Sequence, residues 1–455
     1  MEATGTKLVV FSLPSSHLLH DPSRSVSYEE SECDDAKEAS PLKAHENDYP
    51  AFEVPQFTIK EILGAIPSHC FERSALRSST YVVADFAMIA ALGYAASFID
   101  PAFSFEGGSV LSGWEGFAAK WALWSVYWVA QGFVATGVWV IGGHHAFSTS
   151  RSLDDVVGLF LHSFVLVPYH PWRVSHAKHH AGIGHVSQDE VWVPRTASEL
   201  GITKMGTGKK REVEKGIVLD ELLEDAPLYR LYWIVVQQLV GWPMYLFTNA
   251  GSQAWYPKWT NHFSPSSLIF DARHRNQVLV SDAFLVGMLS LIAAFGYYCG
   301  GVSAVVKYYV VPYLFVNHWL VMITYLQHTD PSLPHYSAES WNFQRGALCT
   351  MDRKFLGPVG ALFLHGIAET HVAHHLASRI PHYHAWEATN ALKALLGPHY
   401  NSTDENAFVS LWRTYRRCRY VDDEGDVLFY NDAYGRKYRK AAPSRERSDS
   451  GVEVD

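Results

Sequence analysis

Four runs of about twenty apolar residues lie at 80–99, 121–141, 280–299 and 305–326, each long enough for a helix to cross the hydrocarbon core of a bilayer. They fall into two close pairs, which predicts two helical hairpins. Two more apolar runs break the pattern. Residues 231–247 are interrupted by Gln237, Gln238 and Pro243, and residues 156–168 are too short to span, so both are expected to lie along the membrane interface. With two hairpins the chain returns to one side after residue 141 and again after residue 326. The connector 100–116 has no Lys or Arg, whereas Arg73, Arg77, Arg151 and Arg173 flank the other ends. By the positive-inside rule those other ends face the cytosol. The expected fold is an all-α integral membrane protein: four transmembrane helices in two hairpins, interfacial helices, and a helical cap on the cytosolic side.

Outside these runs the pattern weakens. Residues 1–48, rich in Ser, Glu, Asp and Pro, lack the periodicity of a folded unit and read as a disordered cytosolic tail. The run LVVFSL near the start is too short for a signal peptide, which leaves the first span to target the membrane. Residues 49–430 form the membrane domain, and 431–455 read as a second, charged tail. A composition of 48% hydrophobic and 18% charged residues favours the membrane reading. The net charge of -9, with basic residues scattered, argues against nucleic acid as a partner. Five dispersed cysteines without a CxxC pair suggest neither a disulfide framework nor a thiolate metal site.

The chemistry is carried by histidine. WRVSHAKHH gives His176, His179 and His180; THVAHHLAS gives His371, His374 and His375. With 24 histidines in the chain, one HxxHH is expected by chance about 0.07 times, so two copies are a strong signal. On a helix, positions i, i+3 and i+4 share a face, and each stretch is expected to present three imidazoles to one point. A further pair, His144 and His145 in VIGGHHAFS, closes the second apolar run. Taken alone, such a pair is more often packed than ligating. So many imidazoles without cysteine suit iron, zinc, copper or nickel, and are too many for one ion. Two metal ions are therefore expected. Neither HExxH nor the Glu-x-x-His pattern of carboxylate-bridged bundles is present.

These stretches, together with IPSHCFERS, DEVWVP, ITYLQHTDPSLPHY, RGALCTMDR and HVAHHLASRIPHYHAWEAT, resemble the membrane-bound fatty acyl desaturases, and among them the microsomal oleate (delta-12) and linoleate (omega-3) group of fungi and plants. The resemblance runs from about Phe52 to Glu387. It implies a di-iron centre of two Fe ions held by three histidine boxes on the cytosolic face, with an additional ligand at His328 in YLQHTD. It also implies O2 as oxidant, electrons from cytochrome b5 and its reductase, an acyl-phospholipid or acyl-CoA substrate, and a multi-pass location in the endoplasmic reticulum membrane. Oleate to linoleate conversion is the expected reaction; an omega-3 desaturase, acetylenase, conjugase or hydroxylase is the alternative within the group. A metal transporter would carry its ligands mid-membrane, whereas these boxes follow the spans. A silent partner of an active desaturase is the third reading. Asp189, Glu190 and Glu369 lie close enough in sequence to orient box imidazoles. His335, His382 and His384 are weaker candidates for ligation, and His162, His185 and His365 weaker still.

One departure stands out. In the family the first box commonly reads AHECGHHAFS after WVI; here the chain reads WVI-GGHHAFS. Three residues are absent, a His, a Glu and a Cys, so His144 and His145 are half of the expected box. Losing three helical residues shortens the path by about 4.5 Å and turns it by about 60°. Two outcomes are weighed equally: a weak or inactive enzyme, or a misplaced splice boundary in the coding sequence, which sequencing the transcript across codons 136–148 decides.

Overall fold

The computed structural model describes residues 51–103, 113–143, 146–202 and 226–442. The tail expected over 1–48, the His144–His145 pair and the end of the charged C-terminal segment lie outside the described residues. Among those described, four helical segments are long and apolar enough to cross a membrane: Ala75–Ala102, Gly113–Ile141, Ala272–Cys299 and Gly301–Leu326. They coincide with the four apolar runs.

The principal helices are α1 (Ile59–Ala65), α2 (Ala75–Ala96), α3 (Gly113–Ile141), α4 (Arg151–Phe164), α5 (Tyr169–Gly182), α6 (Pro227–Thr248), α7 (Arg275–Cys299), α8 (Val311–Leu326), α9 (His371–Leu376), α10 (His382–Leu396) and α11 (Ala407–Arg417). A π-helical turn at Val306–Val310 precedes α8, next to Pro312, which has no N–H to donate to a regular ladder. α3 packs against both α2 and α8, and α8 packs against α6 and α11. The spans differ in burial: 17% of the apolar window of α2 and of α7 is inside the protein, against 67% for α3 and 56% for the segment ending in α8. α2 and α7 thus offer Val83, Val286 and Leu291 outward, the faces suited to lipid. α3 and α8 form the inner pair. They approach closely at Gly132, where an added Cβ would lie 2.3 Å from the Cβ of Phe315; small residues serve this purpose where lipid removes the hydrophobic drive between helices.

α6 is a helix of 22 residues, but it is not among the spanning candidates. Trp242, Tyr245 and Leu246 enter the main core beside Trp139, Trp172, Trp319 and Tyr325. The run 156–168 becomes the end of α4 and a sharp corner. Leu166 adopts a left-handed backbone (φ 54°) and Pro168 follows it, so α5 leaves at 104° to α4. Together the bent pair has the length of one broken or re-entrant span.

The described residues also form three two-stranded ribbons: β1 (Ala51–Phe52) with β6 (Lys440–Ala441), β2 (His335–Tyr336) with β5 (Val427–Leu428), and β3 (Asp352–Arg353) with β4 (Ser402–Thr403). The first ribbon changes the sequence picture of the C-terminus. Residues 431–442, assigned to the tail by charge, pack back onto the domain: Asn431 and Asp432 are buried, and Asp432 accepts from Arg436 Nε at 2.8 Å.

A buried ion pair ties β3 to the end of α8 and to α11. Arg353, wholly inaccessible, donates Nε to the Leu326 carbonyl at the end of α8 (2.9 Å), NH1 to Ser410 Oγ (2.8 Å) and NH2 to Asp330 Oδ2 (2.7 Å). Removing one partner of a buried pair costs about 3–5 kcal/mol, because the other charge stays desolvated; here Arg413, also on Asp330 at 2.8 Å, retains part of it. Arg353→Met is expected to destabilise the protein by about 3 kcal/mol, visible as a lower thermal midpoint of the detergent-solubilised chain.

Candidate metal centre

The second histidine stretch lies on α5. Its third lies on α9, a helix of six residues that needs external support. Asp352 supplies it: Oδ1 accepts the N–H of Val372 in the first turn (2.9 Å), and Oδ2 accepts from the Tyr400 hydroxyl. A carboxylate at a helix N-terminus is favourably placed for the helix dipole. Burial pushes the Asp352 carboxyl up to about 7. His328 follows α8, held where Met351 N–H donates to the Gln327 carbonyl (2.9 Å) and Arg353 to that of Leu326.

Among the described residues seven imidazoles meet here. His176, His180 and His374 form one group and His179, His328 and His375 another, with the nitrogens of each group within 4.8 Å of one another. His371 joins the second group through Nε2, 3.2 Å from His328 Nε2. The groups adjoin: the rings of His180 and His375 stack at 4.1 Å. Segments far apart in the chain, with 149 residues from His179 to His328 and 43 from His328 to His371, thus converge on one place. The expectation that each stretch aims all three imidazoles at a single point is corrected. With about 100° per residue, positions i and i+4 on a helix diverge by only about 40°, but i+3 and i+4 by about 100°. His176 and His180 therefore turn one way and His179 the other. Both stretches serve both groups.

Proton positions are constrained by the partners. Asp189 Oδ1 lies 2.8 Å from His179 Nδ1 and also accepts the Val191 N–H at 2.8 Å. The carbonyl of Ile367 lies 3.1 Å from His371 Nδ1. Both arrangements put the proton on Nδ1 and leave a lone pair on Nε2. Those two lone pairs point at His328 Nε2, at 3.3 and 3.2 Å, and one neutral imidazole nitrogen carries at most one proton to share between them. Burial, reinforced by neighbouring imidazoles, holds His328 and His375 well below the usual imidazole range and His371 at about 3, so protonation does not relieve the conflict near neutral pH. Both nitrogens of His375 and Nδ1 of His328 are buried without a hydrogen-bond partner. Convergent, neutral, unsatisfied imidazoles fit metal cations.

Of the carboxylates near the boxes, Asp189 bonds a box imidazole. Glu190 accepts from the Tyr256 hydroxyl (3.0 Å), and Glu369 from the Phe355 N–H (3.3 Å). The weaker candidates have other partners. His335 packs on Tyr430, His382 on Tyr81 and His384 on His69; His162 meets the Gly158 carbonyl, His365 meets Asp85, and His185 accepts from the Ser187 N–H. His144 and His145 lie outside the described residues. Their neighbour Gly143 lines a cavity that also touches His176, His179, His328, His371 and His374, with Trp139, Trp172, Trp242, Tyr245 and Ile323 as further walls. Ala146 lines a second cavity that reaches His374. Asp352, inside the stretch RGALCTMDR, and Tyr400 position the third stretch, and neither was a candidate in the sequence.

Comparison with known proteins matches residues 119–406 to the fatty acid desaturase family model. Two fungal relatives, each named Delta(12) fatty acid desaturase, from Mortierella isabellina and Mortierella alpina, are 47% identical over 392 residues, 84% of this chain and 93% of theirs. An oleate hydroxylase of Claviceps purpurea is 41% identical over 84% of this chain and 82% of its own. An omega-6 fatty acid desaturase of the endoplasmic reticulum of Brassica juncea is 40% identical over 84% of this chain and 93% of its own. Convergent imidazoles beside apolar spans, and this breadth of similarity, make the chain a member of the fatty acid desaturase family.

Proposed function

We propose that the chain is an acyl-lipid desaturase that converts oleoyl to linoleoyl chains, forming the delta-12 cis double bond with O2 and electrons from cytochrome b5. The observation that carries this reading is the convergence of both HxxHH stretches and His328 into two adjoining imidazole groups, and the names of the fungal relatives specify the bond position. His176, His180 and His374 would hold one iron; His179, His328, His371 and His375 would hold the other, with His144 and His145 completing the set. When bound, the irons supply the oxidising strength needed to take hydrogen from an unactivated methylene.

The protein's own part is orientation and exclusion of water. Asp189 fixes the tautomer of His179, so that Nε2 faces the centre. Trp139, Trp172, Trp242 and Ile323 wall the adjoining cavity with apolar surface, the surroundings an acyl chain needs beside the imidazoles. Four candidate spans and the basic residues flanking their outer ends support a site on the cytosolic side of the endoplasmic reticulum membrane, where a membrane-bound electron donor would reach it.

The test is gas chromatography of lipids from yeast expressing the chain. Formation of 18:2 from 18:1 supports the reading; a hydroxylated C18 product instead would favour the chemistry of the Claviceps relative. Asp189→Asn keeps the shape but weakens the hold on His179. It is expected to lower linoleate formation by about tenfold to a hundredfold, as loss of such outer partners usually does, with iron per purified chain reduced in parallel.

A further inference from the structure

A second group of ligating side chains stands apart from the imidazole centre. His69 and Cys70, in the turn Ser68–Phe71 ahead of α2, meet His384 and Glu387 from the first turns of α10. Their donor atoms lie within 4.8 Å of one another. His69 Nε2 is 2.8 Å from Glu387 Oε2 and 3.9 Å from Cys70 Sγ, and the rings of His69 and His384 meet edge to face at 5.6 Å.

We propose that His69, Cys70, His384 and Glu387 form a structural zinc site that fastens the turn before the first span to the helix following the third histidine stretch. The donor set of one thiolate, two imidazoles and one carboxylate suits zinc. Usual bond lengths of about 2.0–2.3 Å place donors at the corners of a tetrahedron about 3.5 Å apart, and the observed 2.8 and 3.9 Å bracket that edge. Thiolate and carboxylate together neutralise a divalent ion. Access is open, because His69 and Glu387 are half exposed (49% and 50%) while Cys70 is buried beneath them. The joint is braced already by the Tyr383 hydroxyl, which accepts from the Ser74 N–H (2.9 Å), and by Arg77 over the Tyr383 ring (4.0 Å). No sequence spacing reveals this group, since its halves are more than 300 residues apart.

Among the described residues the imidazole centre has no sulfur ligand, which makes sulfur the discriminating signal. Full-length chain purified in detergent is loaded with zinc and studied by zinc X-ray absorption, and separately loaded with cobalt(II) and studied for thiolate-to-cobalt absorption. The expected result is one sulfur scatterer at about 2.3 Å and a thiolate-to-cobalt band, both lost in Cys70→Ser and both kept in Cys299→Ser, which removes an exposed cysteine. Glu387→Gln, a near-isosteric change at a half-exposed side chain, is expected to weaken the sulfur-bound zinc by about tenfold or more. Zinc bound with nitrogen and oxygen only, sulfur ligation that persists in Cys70→Ser, or zinc affinity unchanged in Glu387→Gln would each overturn the proposal; the last of these applies even if Cys70→Ser fails to accumulate.

Discussion

His328→Gln is expected to reduce linoleate formation more than about a hundredfold in yeast membranes that still contain the full-length chain. Outer partners of metal ligands typically matter by tenfold to a hundredfold, and His328 is placed to matter more. Its Nε2 lies 3.3 Å from His179 Nε2 and 3.2 Å from His371 Nε2, so it joins the second stretch to the third. It comes from a separate segment beyond α8, and neither stretch can supply its position by a rotamer change. Glutamine nearly fills the volume and leaves the backbone bonds of residues 326 and 327 to Arg353 and Met351 in place, which separates loss of a ligand from loss of fold. Iron counting provides the second readout: the variant should hold markedly less iron than the chain it is made from. A variant with full iron and normal product would remove His328 from the centre and, with it, the division of the imidazoles into two sets.

How legible this was depended on the range of the interaction. The four spans could be read because lipid satisfies no backbone polar group and so demands an unbroken apolar helix. Their ends could not. α2 starts at Ala75, five residues before the apolar run, because Ser74 caps it by accepting from the Arg77 N–H. The two histidine stretches were visible as repeats, yet their split into two groups depended on the 100° between His179 and His180 and on what stood opposite. Asp189, close in sequence to its imidazole, was a candidate; Asp352, which holds α9 from 20 residues upstream, was not. Charge alone did not show that the backbone of residues 431–442 finds a partner in Phe52, as in the 2.9 Å bond from Ala442 N–H to the Phe52 carbonyl. Local pattern reports what solvent requires of a segment, and says little of which distant segment will satisfy it.

The chain as written should be a poor desaturase, and inserting His-Glu-Cys between Gly142 and Gly143 should raise linoleate formation by about tenfold or more. α3 ends at Ile141, and Gly143 already lines the cavity bounded by His176, His328 and His371. Three added residues extend the path by about 4.5 Å and turn it by about 60° if helical, placing one more imidazole ahead of the His144–His145 pair. An unfilled position in a metal's coordination shell costs affinity of the same order as a lost supporting contact, about tenfold to a hundredfold, and the insertion should recover that factor. The space must come from the walls: Gly142 has the imidazole of His162 within 3.0 Å of where a Cβ would stand, and Gly143 has Trp172 at 3.4 Å. The insertion is therefore best made with both glycines kept. Measured side by side in yeast at equal protein levels, the inserted chain should contain more iron and produce more 18:2 than the chain without it. Equal activity in the two would mean that His144 and His145 complete the centre unaided, and a transcript that already encodes the three residues would make the longer chain the natural protein.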